Sequence, residues 1–387
     1  MRLKHNLKII IALNTAWNLI NFRSGLIRAL VFHGYDVIAV APEDAYSQQL
    51  GALGCRFVPI PMDNKGTHPG RDLLLLWRFV RLIRKERPDV LLGYTIKPNI
   101  YGSLAAYISG VPVINNVTGL GTVFIKGGWL NWFVRALYRV ALARSRKVFF
   151  QNEDDRHFFI TDGLVDGAFT DRLPGSGVDL KKFQPAPLPG RHQIRFLLIA
   201  RMLWDKGVGE YVEAARLVKK RGLNAEVCLL GFLDVQNPAA ISKSQMDKWV
   251  AEGVVRYLGV SDNVREEIAQ ADCIVLPSFY REGTPRTLLE AAAMARPLIT
   301  TDSVGCRDVV DDGVNGFICR PKDALDLADK MARMIAMPHA EREAMGRQGR
   351  EKVEREFDEK IVIDKYLSAI EAALGKESLS EIPNSAK

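Results

Sequence analysis

The chain has 387 residues, of which 48% are hydrophobic and 25% charged, with a formal net charge of +8. At roughly 150 residues per domain this length makes two or three domains, and the composition supports sizeable cores while excluding a low-complexity protein. The positive balance attracts anions (nucleotides, nucleic acid, acidic membrane surfaces) without choosing among them.

Near the N-terminus the apolar run from Ile9 to Leu13 is too short for a signal-peptide core and is interrupted by Asn14. No uninterrupted apolar stretch reaches about 18 residues, so no membrane-spanning segment is expected. Short apolar runs then alternate with amphipathic ones. Strands are expected at 7–13, 36–40, 57–60, 90–93, 111–115 and 147–151, with helices at 24–33, 73–85, 101–109, 130–143 and 154–162. Such alternation implies a doubly wound parallel sheet. Residues 177–192 are rich in Gly and Pro and read as a linker. A second alternating series follows, with strands at 195–200, 226–231, 254–258, 273–277 and 297–301 and helices at 209–221, 263–270 and 287–295. The last helical stretch, 341–374, breaks near Phe357. The expected division is therefore a first α/β domain at 1–176, the linker, and a second at 193–356. A terminal helix at 357–374 packs back on the first domain, and 375–387 form a disordered tail. Ligands of such sheets bind beyond the carboxyl ends of the strands, and two facing sheets would leave a cleft between them.

The five cysteines, Cys55, Cys228, Cys273, Cys306 and Cys319, are odd in number and form no CxxC pair. They read as reduced, buried thiols of a cytoplasmic protein, with no metal site.

Two motifs carry chemistry. Arg201-Met-Leu-Trp-Asp-Lys206-Gly207 follows a strand and precedes a helix, where anions bind in these folds. Arg can contact phosphate as a fork and Lys as a point charge, or both can be plain surface cations. Glu282-Gly283-Thr284-Pro285-Arg286-Thr287-Leu288-Leu289-Glu290 follows another strand. Pro285 suits a helix start, Gly283 permits close approach of a ligand, and the N–H groups near Arg286 and Thr287 can cradle phosphate. Glu290, among Leu288, Leu289, Ala291 and Ala292, needs hydrogen-bond donors; ribose hydroxyls or a structural salt bridge would supply them. Gly119-Leu120-Gly121 marks a first-domain loop and is no GxGxxG fingerprint. Neither a GxxxxGK[ST] motif nor a DxD pair occurs, which weighs against a P-loop and a divalent-metal mechanism.

Together these motifs resemble those of the retaining glycosyltransferases of family 4, whose signature is R-x(4)-K-G followed by E-G-x-P-x-x-x-L-E. Gly177-Val178-Asp179 with Phe183 and Pro185 is similar to the family's interdomain connection, and Val309 to Phe317 to its late D-G-x-N-G segment. The resemblance spans nearly the whole chain and implies the GT-B fold, two Rossmann-like domains facing across a cleft. It implies that Arg201 and Lys206 bind the donor diphosphate, Glu290 the ribose, and Glu282 with Gly283 and Thr284 the donor sugar, with Thr287 and Leu288 at the donor-side helix start. Glu282, Arg201 and Lys206 would be the catalytic set. Gly259, Val260, Ser261 and Val264 would flank the nucleobase. Thr15, Ala16, Lys97, Asn99, Gly119 and Gly121 would form the acceptor side. Neither a metal nor a cofactor is implied beyond the nucleotide-sugar substrate, and transfer would proceed from the front face with retention.

The chain departs from the family in three places. No His follows the strand at 90–93, where Gly93-Tyr94-Thr95-Ile96-Lys97-Pro98-Asn99 stands; Asp308 replaces the usual Glu; and the 14–18 loop lacks paired glycines. The stretches at 119–124 and 201–208 look like a subgroup that adds amino sugars to undecaprenyl-diphosphate sugars in capsule, O-antigen, exopolysaccharide or protein-glycan assembly. An N-acetylhexosamine or related hexose from a UDP-sugar is the expected cargo. A lipid-linked acceptor would place the protein on the cytoplasmic face of the inner membrane. Leu76-Trp77-Arg78-Phe79-Val80-Arg81 and Trp129-Leu130-Asn131-Trp132-Phe133-Val134-Arg135 set aromatics beside cations, which fits a bilayer surface or a core with a basic outer face. Three rival readings fit less well: a GT-B epimerase acting on UDP-N-acetylglucosamine, which would need acidic residues for proton work; an NAD-dependent oxidoreductase, which lacks its fingerprint; and a basic nucleic-acid binder, which leaves Glu282 and Glu290 unexplained.

Overall fold

The computed structural model describes residues 7–63, 68–120, 129–233, 235 and 237–375. The chain divides into two units, residues 1–176 with 360–387 and residues 177–359. Unit 1 contains β1 (Lys8–Ala12), β2 (Asp36–Ala41), β3 (Arg56–Pro59), β4 (Val90–Tyr94), β5 (Val113–Val117), β6 (Lys147–Phe150) and β7 (Thr170–Arg172). They form a seven-stranded parallel sheet in the order β3-β2-β1-β4-β5-β6-β7. The run Ile9-Ile10-Ile11 has apolar side chains on both faces of a strand, so it needs cover on both sides, and all three residues are fully buried.

Unit 2 contains β8 (Ile194–Ile199), β9 (Ala225–Leu230), β10 (Arg256–Tyr257), β11 (Cys273–Leu276), β12 (Leu298–Thr301) and β13 (Gly316–Cys319). Their order is β10-β9-β8-β11-β12-β13, again parallel. In each sheet the chain order reverses beside the first strand, between β1 and β4 and between β8 and β11. Those switch points open the crevices where doubly wound sheets hold ligands.

Several elements differ from expectation for local reasons. The strand expected at 111–115 is β5, shifted to Val113–Val117. Pro112 cannot donate to the ladder, and its carbonyl instead accepts from Leu91 at 3.0 Å. The helix expected at 24–33 begins at Ala16, capped by Thr15 Oγ1, which accepts from the Asn18 N–H at 3.1 Å. Asn18 and Asn21 are weak helix formers and hide that start. The helices Lys243–Ala251 and Ala324–Ala336 and the strands β7 and β13 have no counterpart in the sequence reading. The Gly- and Pro-rich stretch at 177–192 is packed within unit 2. Val178 and Phe183 are buried, and the fully buried Arg296 donates to the carbonyls of Ala186 at 2.8 Å and Pro187 at 2.9 Å.

The helix Glu359–Ala373 belongs to unit 1. It buries Val362, Tyr366 and Ile370, spaced one turn apart, in that unit's core. Tyr366 lies 5.0 Å from Phe149 between ring centroids, and its hydroxyl accepts from Asn116 Nδ2 at 2.9 Å. Residues 376–387, where the tail was expected to be disordered, lie outside the described residues. All five cysteines are free and buried, and burial pushes the Cys228, Cys306 and Cys319 thiols up to about 12, which makes them inert.

Tyr366→Ala is expected to cost about 3–5 kcal/mol. Tyr366→Phe, which strands the Asn116 amide, is expected to cost about 1–3 kcal/mol. Urea unfolding measures both, and a loss under about 1 kcal/mol for the alanine variant would show that the helix is not part of the core.

Candidate functional site

In unit 2 the two motifs meet at the switch point. β8 ends at Ile199 and leads into Arg201, while β11 ends at Leu276 and leads into the loop that carries Glu282. The Asp205 carbonyl joins these loops. It accepts from the N–H groups of Phe279 at 3.2 Å and Tyr280 at 3.1 Å. Gly207, at φ +73°, lets the first loop press on the second, since a Cβ there would stand 2.0 Å from the Pro277 carbonyl oxygen.

The side chains follow that backbone contact. Lys206 Nζ pairs with Glu282 Oε1, which also accepts from Ser278 Oγ at 3.0 Å. Both partners are only slightly exposed, at 14% and 13%, so the pair is screened less than a surface bridge. Arg201 is exposed and, among the described residues, makes no side-chain hydrogen bond or ion pair.

Pro285 precedes the helix Arg286–Ala293. Thr287 Oγ1 donates to the Ile199 carbonyl at 3.2 Å, so the helix start is pinned to the end of β8. The first N–H groups of a helix have no intrahelical acceptor and point outward from its start. Leu288 does not join a ligand surface: it is fully buried, and its N–H bonds to the Pro285 carbonyl at 3.1 Å. Glu290 has a protein partner, Arg286 Nε, at 2.8 Å, so of the two donor sets open in the sequence the salt bridge is formed. Burial pushes the Glu290 carboxyl above its ordinary range, and the Arg286 charge opposes the shift.

The proposed nucleobase loop is tied to these motifs through glycines. The Gly231 N–H donates to the Gly259 carbonyl at 2.7 Å, and a Cβ on Gly231 would stand 1.9 Å from the Ala200 carbonyl oxygen. Val260 is exposed, Ser261 Oγ accepts from the Asn263 N–H at 3.1 Å, and Val264 opens the helix Val264–Ala269. The ends of β8, β9, β10 and β11 thus form one connected rim.

The acceptor-side residues of unit 1 are placed differently. Thr15 caps a helix and Ala16 is buried. Lys97 Nζ is held by Asp72 at 2.7 Å, with both side chains largely buried. Asn99 is fully buried. Its Nδ2 donates to the Asn116 carbonyl at 2.8 Å and its Oδ1 accepts from Asn115 at 3.0 Å. Gly119 has φ +133°, and Gly121 lies outside the described residues. One feature had no signal in the sequence. Thr95, just after β4, has φ +60°, costly for a β-branched residue, and a π-helical turn follows at Pro98–Gly102. Backbone strain of this kind collects at functional sites. Among the described residues no group of three His, Cys, Asp or Glu side chains could hold a metal ion.

The two doubly wound parallel sheets give the two-Rossmann-domain fold of GT-B type. Residues 22–174 match the family described as glycosyl transferase 4-like domain, and residues 193–337 match glycosyl transferases group 1. The chain belongs to this glycosyltransferase family. It is 27% identical over 372 residues to the N,N'-diacetylbacillosaminyl-diphospho-undecaprenol alpha-1,3-N-acetylgalactosaminyltransferase of Campylobacter jejuni, covering 90% of this chain and 94% of that one. Among solved structures it is similar to a glycosyltransferase from Rickettsia africae, with a TM-score of 0.79 at 18% identity, covering 97% and 100% of the two chains. It is also similar to Anabaena Alr3699/HepE in complex with UDP and glucose, with a TM-score of 0.73 at 16% identity, covering 94% and 98%.

The raised Glu290 carboxyl makes a stability prediction. The folded group keeps its proton to higher pH than the unfolded one. Its ionisation therefore removes stability as pH rises above the ordinary carboxylate value of about 4.3. Glu290→Gln has no such group, so its stability relative to the parent should rise between about pH 4 and pH 7 in urea unfolding. A pH-independent difference would show that Glu290 is not the source.

Proposed function

We propose that the protein transfers an N-acetylhexosamine or related hexose from a UDP-sugar to an undecaprenyl-diphosphate-linked sugar, with retention, in bacterial surface-glycan or protein-glycan assembly. The observation that carries this reading is the joining of Arg201, the Lys206–Glu282 pair and the start of the helix Arg286–Ala293 at the ends of β8 and β11. A diphosphate leaving group gains negative charge as its bond to the sugar breaks. Arg201 and Lys206 supply cations, and the helix start supplies N–H dipoles. Glu282, held by Lys206 and Ser278, presents a fixed carboxylate to the sugar hydroxyls. Glu290 is positioned for the ribose, with Arg286 compensating its charge. These groups neutralise the leaving group without a metal ion. The named acceptor of the Campylobacter relative and the UDP bound to the Anabaena protein support the choice of substrates.

The lipid-linked acceptor leads to a second part of the proposal, contact of unit 1 with the cytoplasmic face of the inner membrane. No described helix is long and apolar enough to cross a membrane. Phe79 is core, but Trp77 is 54% exposed, Trp132 72% and Phe133 41%, with Leu73 and Ile108 exposed as well. The Arg81 guanidinium lies 5.5 Å from the Trp77 ring centroid. Exposed aromatics beside guanidinium groups suit the headgroup region of an anionic bilayer.

A panel of UDP-, GDP- and TDP-sugars offered with bacterial membranes tests the reaction, and consumption of a UDP-sugar is the expected result. With that donor, Lys206→Ala and Glu290→Ala should each lose about 10²–10³ in kcat while remaining folded. Excess EDTA should leave the rate unchanged. Full activity in both variants overturns the site, and an EDTA loss restored by magnesium overturns the metal-free reading.

Flotation with vesicles tests the membrane contact. The protein should bind vesicles rich in anionic lipid and not neutral ones, and Trp77→Ser with Trp132→Ser should weaken binding by about tenfold. Equal binding by parent and double variant would reject this surface.

A further inference from the structure

Glu282 and Gly283 stand at the far end of the loop after β11, and the strand beside it holds that loop at both ends. At the near end, Thr300 Oγ1 donates to the Leu276 carbonyl at 2.7 Å and Thr301 Oγ1 donates to the Ser278 carbonyl. β12 ends at Thr301 and turns through 303–306, where the Cys306 N–H bonds to the Ser303 carbonyl at 3.1 Å. Gly305 lies in this turn, buried, with φ +80°. A Cβ built on it would stand 2.0 Å from the Gly283 carbonyl oxygen, 2.7 Å from the Glu282 carbonyl oxygen and 2.9 Å from the Gly283 carbonyl carbon. All three atoms are backbone, so none can swing aside as a side-chain tip would.

We propose that Gly305, with Thr301, is a positioning residue for the donor-sugar contacts. The bare Cα lets the turn after β12 bear directly on the Glu282–Gly283 backbone and so sets where the Glu282 carboxylate stands opposite Lys206. This rests on the assignment of Glu282 to the donor sugar and adds residues that touch no substrate. A methyl group at position 305 must displace the loop. A misplacement of about 1 Å at a reacting centre can cost about 10²-fold in rate. The effect is therefore expected in kcat before it appears in stability.

The fold supplies a matched control. Gly313 has φ +78°, nearly that of Gly305, but a Cβ there meets nothing within 4 Å. Gly313→Ala thus imposes the same backbone strain without the collision. With the donor and acceptor in hand, kcat, donor KM and the unfolding midpoint would be measured for both variants of the full chain. Gly313→Ala should stay within about threefold of the parent, while Gly305→Ala should lose at least about thirtyfold, mainly in kcat. Added to Glu282→Gln, Gly305→Ala should cost less than about threefold more, because both changes disable one contact. Gly305→Ala activity within about threefold of Gly313→Ala overturns the proposal, and so does a fully multiplicative double variant. If Gly305→Ala does not fold, Thr301→Val reads the same point by removing the hydrogen bond to Ser278. A kcat loss absorbed by Glu282→Gln supports the grip of β12, and an unchanged kcat overturns it. A fully active Glu282→Gln single variant would instead sink the donor-site reading, whatever Gly305 does.

Discussion

The Asp205 carbonyl oxygen takes hydrogen bonds from the N–H groups of Phe279 and Tyr280, and the loops after β8 and β11 are arranged around it. Without that junction the loops after β8 and β11 would be two independent surface turns. With it, Gly207 can press on Pro277, Lys206 reaches Glu282, and Ser278 turns its hydroxyl to the same carboxylate. The constraint extends along the rim. Gly231 and Gly259 tie in the ends of β9 and β10, and Thr287 fastens the helix start to Ile199. Such backbone-to-backbone fixing fits a site that must hold donors in place before charge develops, because no reorganisation is then needed at the moment of reaction.

The charges on this rim are mostly paired before any ligand arrives. Lys206 is matched by Glu282 and Glu290 by Arg286, while Arg201 is exposed. Half-buried ions of either sign alone would be costly to desolvate, and pairing them lowers that cost. Pairing also sorts ligands. A bare phosphate meets Glu282 as well as Lys206, whereas a diphosphate bearing a sugar can give the anion to the cations and hydroxyl donors to the carboxylate. The presence of Glu282 and Glu290 thus fits a nucleotide-sugar better than a plain polyanion.

Unit 1 shows a different use of polar groups. Asn99, Asn115 and Asn116 hydrogen-bond among strand ends inside the core, and Lys97 is committed to Asp72. These residues shape the turn after β4 and are not open to a ligand. The strained Thr95 and the π-helical turn at Pro98–Gly102 sit in the same turn, where a His is common in the family and this chain has none.

Alternation of apolar strands with amphipathic helices determined both sheets apart from the edge strands β7 and β13, because a parallel strand covered on two faces has to be apolar throughout, as Ile9-Ile10-Ile11 is. The spacing of Arg201, Lys206, Glu282 and Glu290 also determined the family and the end of the sheet that carries the site. Tertiary structure alone decided how those residues act together. Asp205 works through its carbonyl, so its side chain gives no sign of it. Gly305 and Gly207 matter for what they lack, and one glycine in a sequence does not show which backbone will lie against it. The sequence left Glu290 open between ribose hydroxyls and a structural salt bridge, and folding brings Arg286 beside it as a protein donor. Likewise Lys97 and Asn99 read as polar residues on a loop, and only packing against Asp72 and Asn115 turned them inward. Local pattern encodes what each segment can become, while pairing between distant segments depends on which strand ends the sheet order brings side by side.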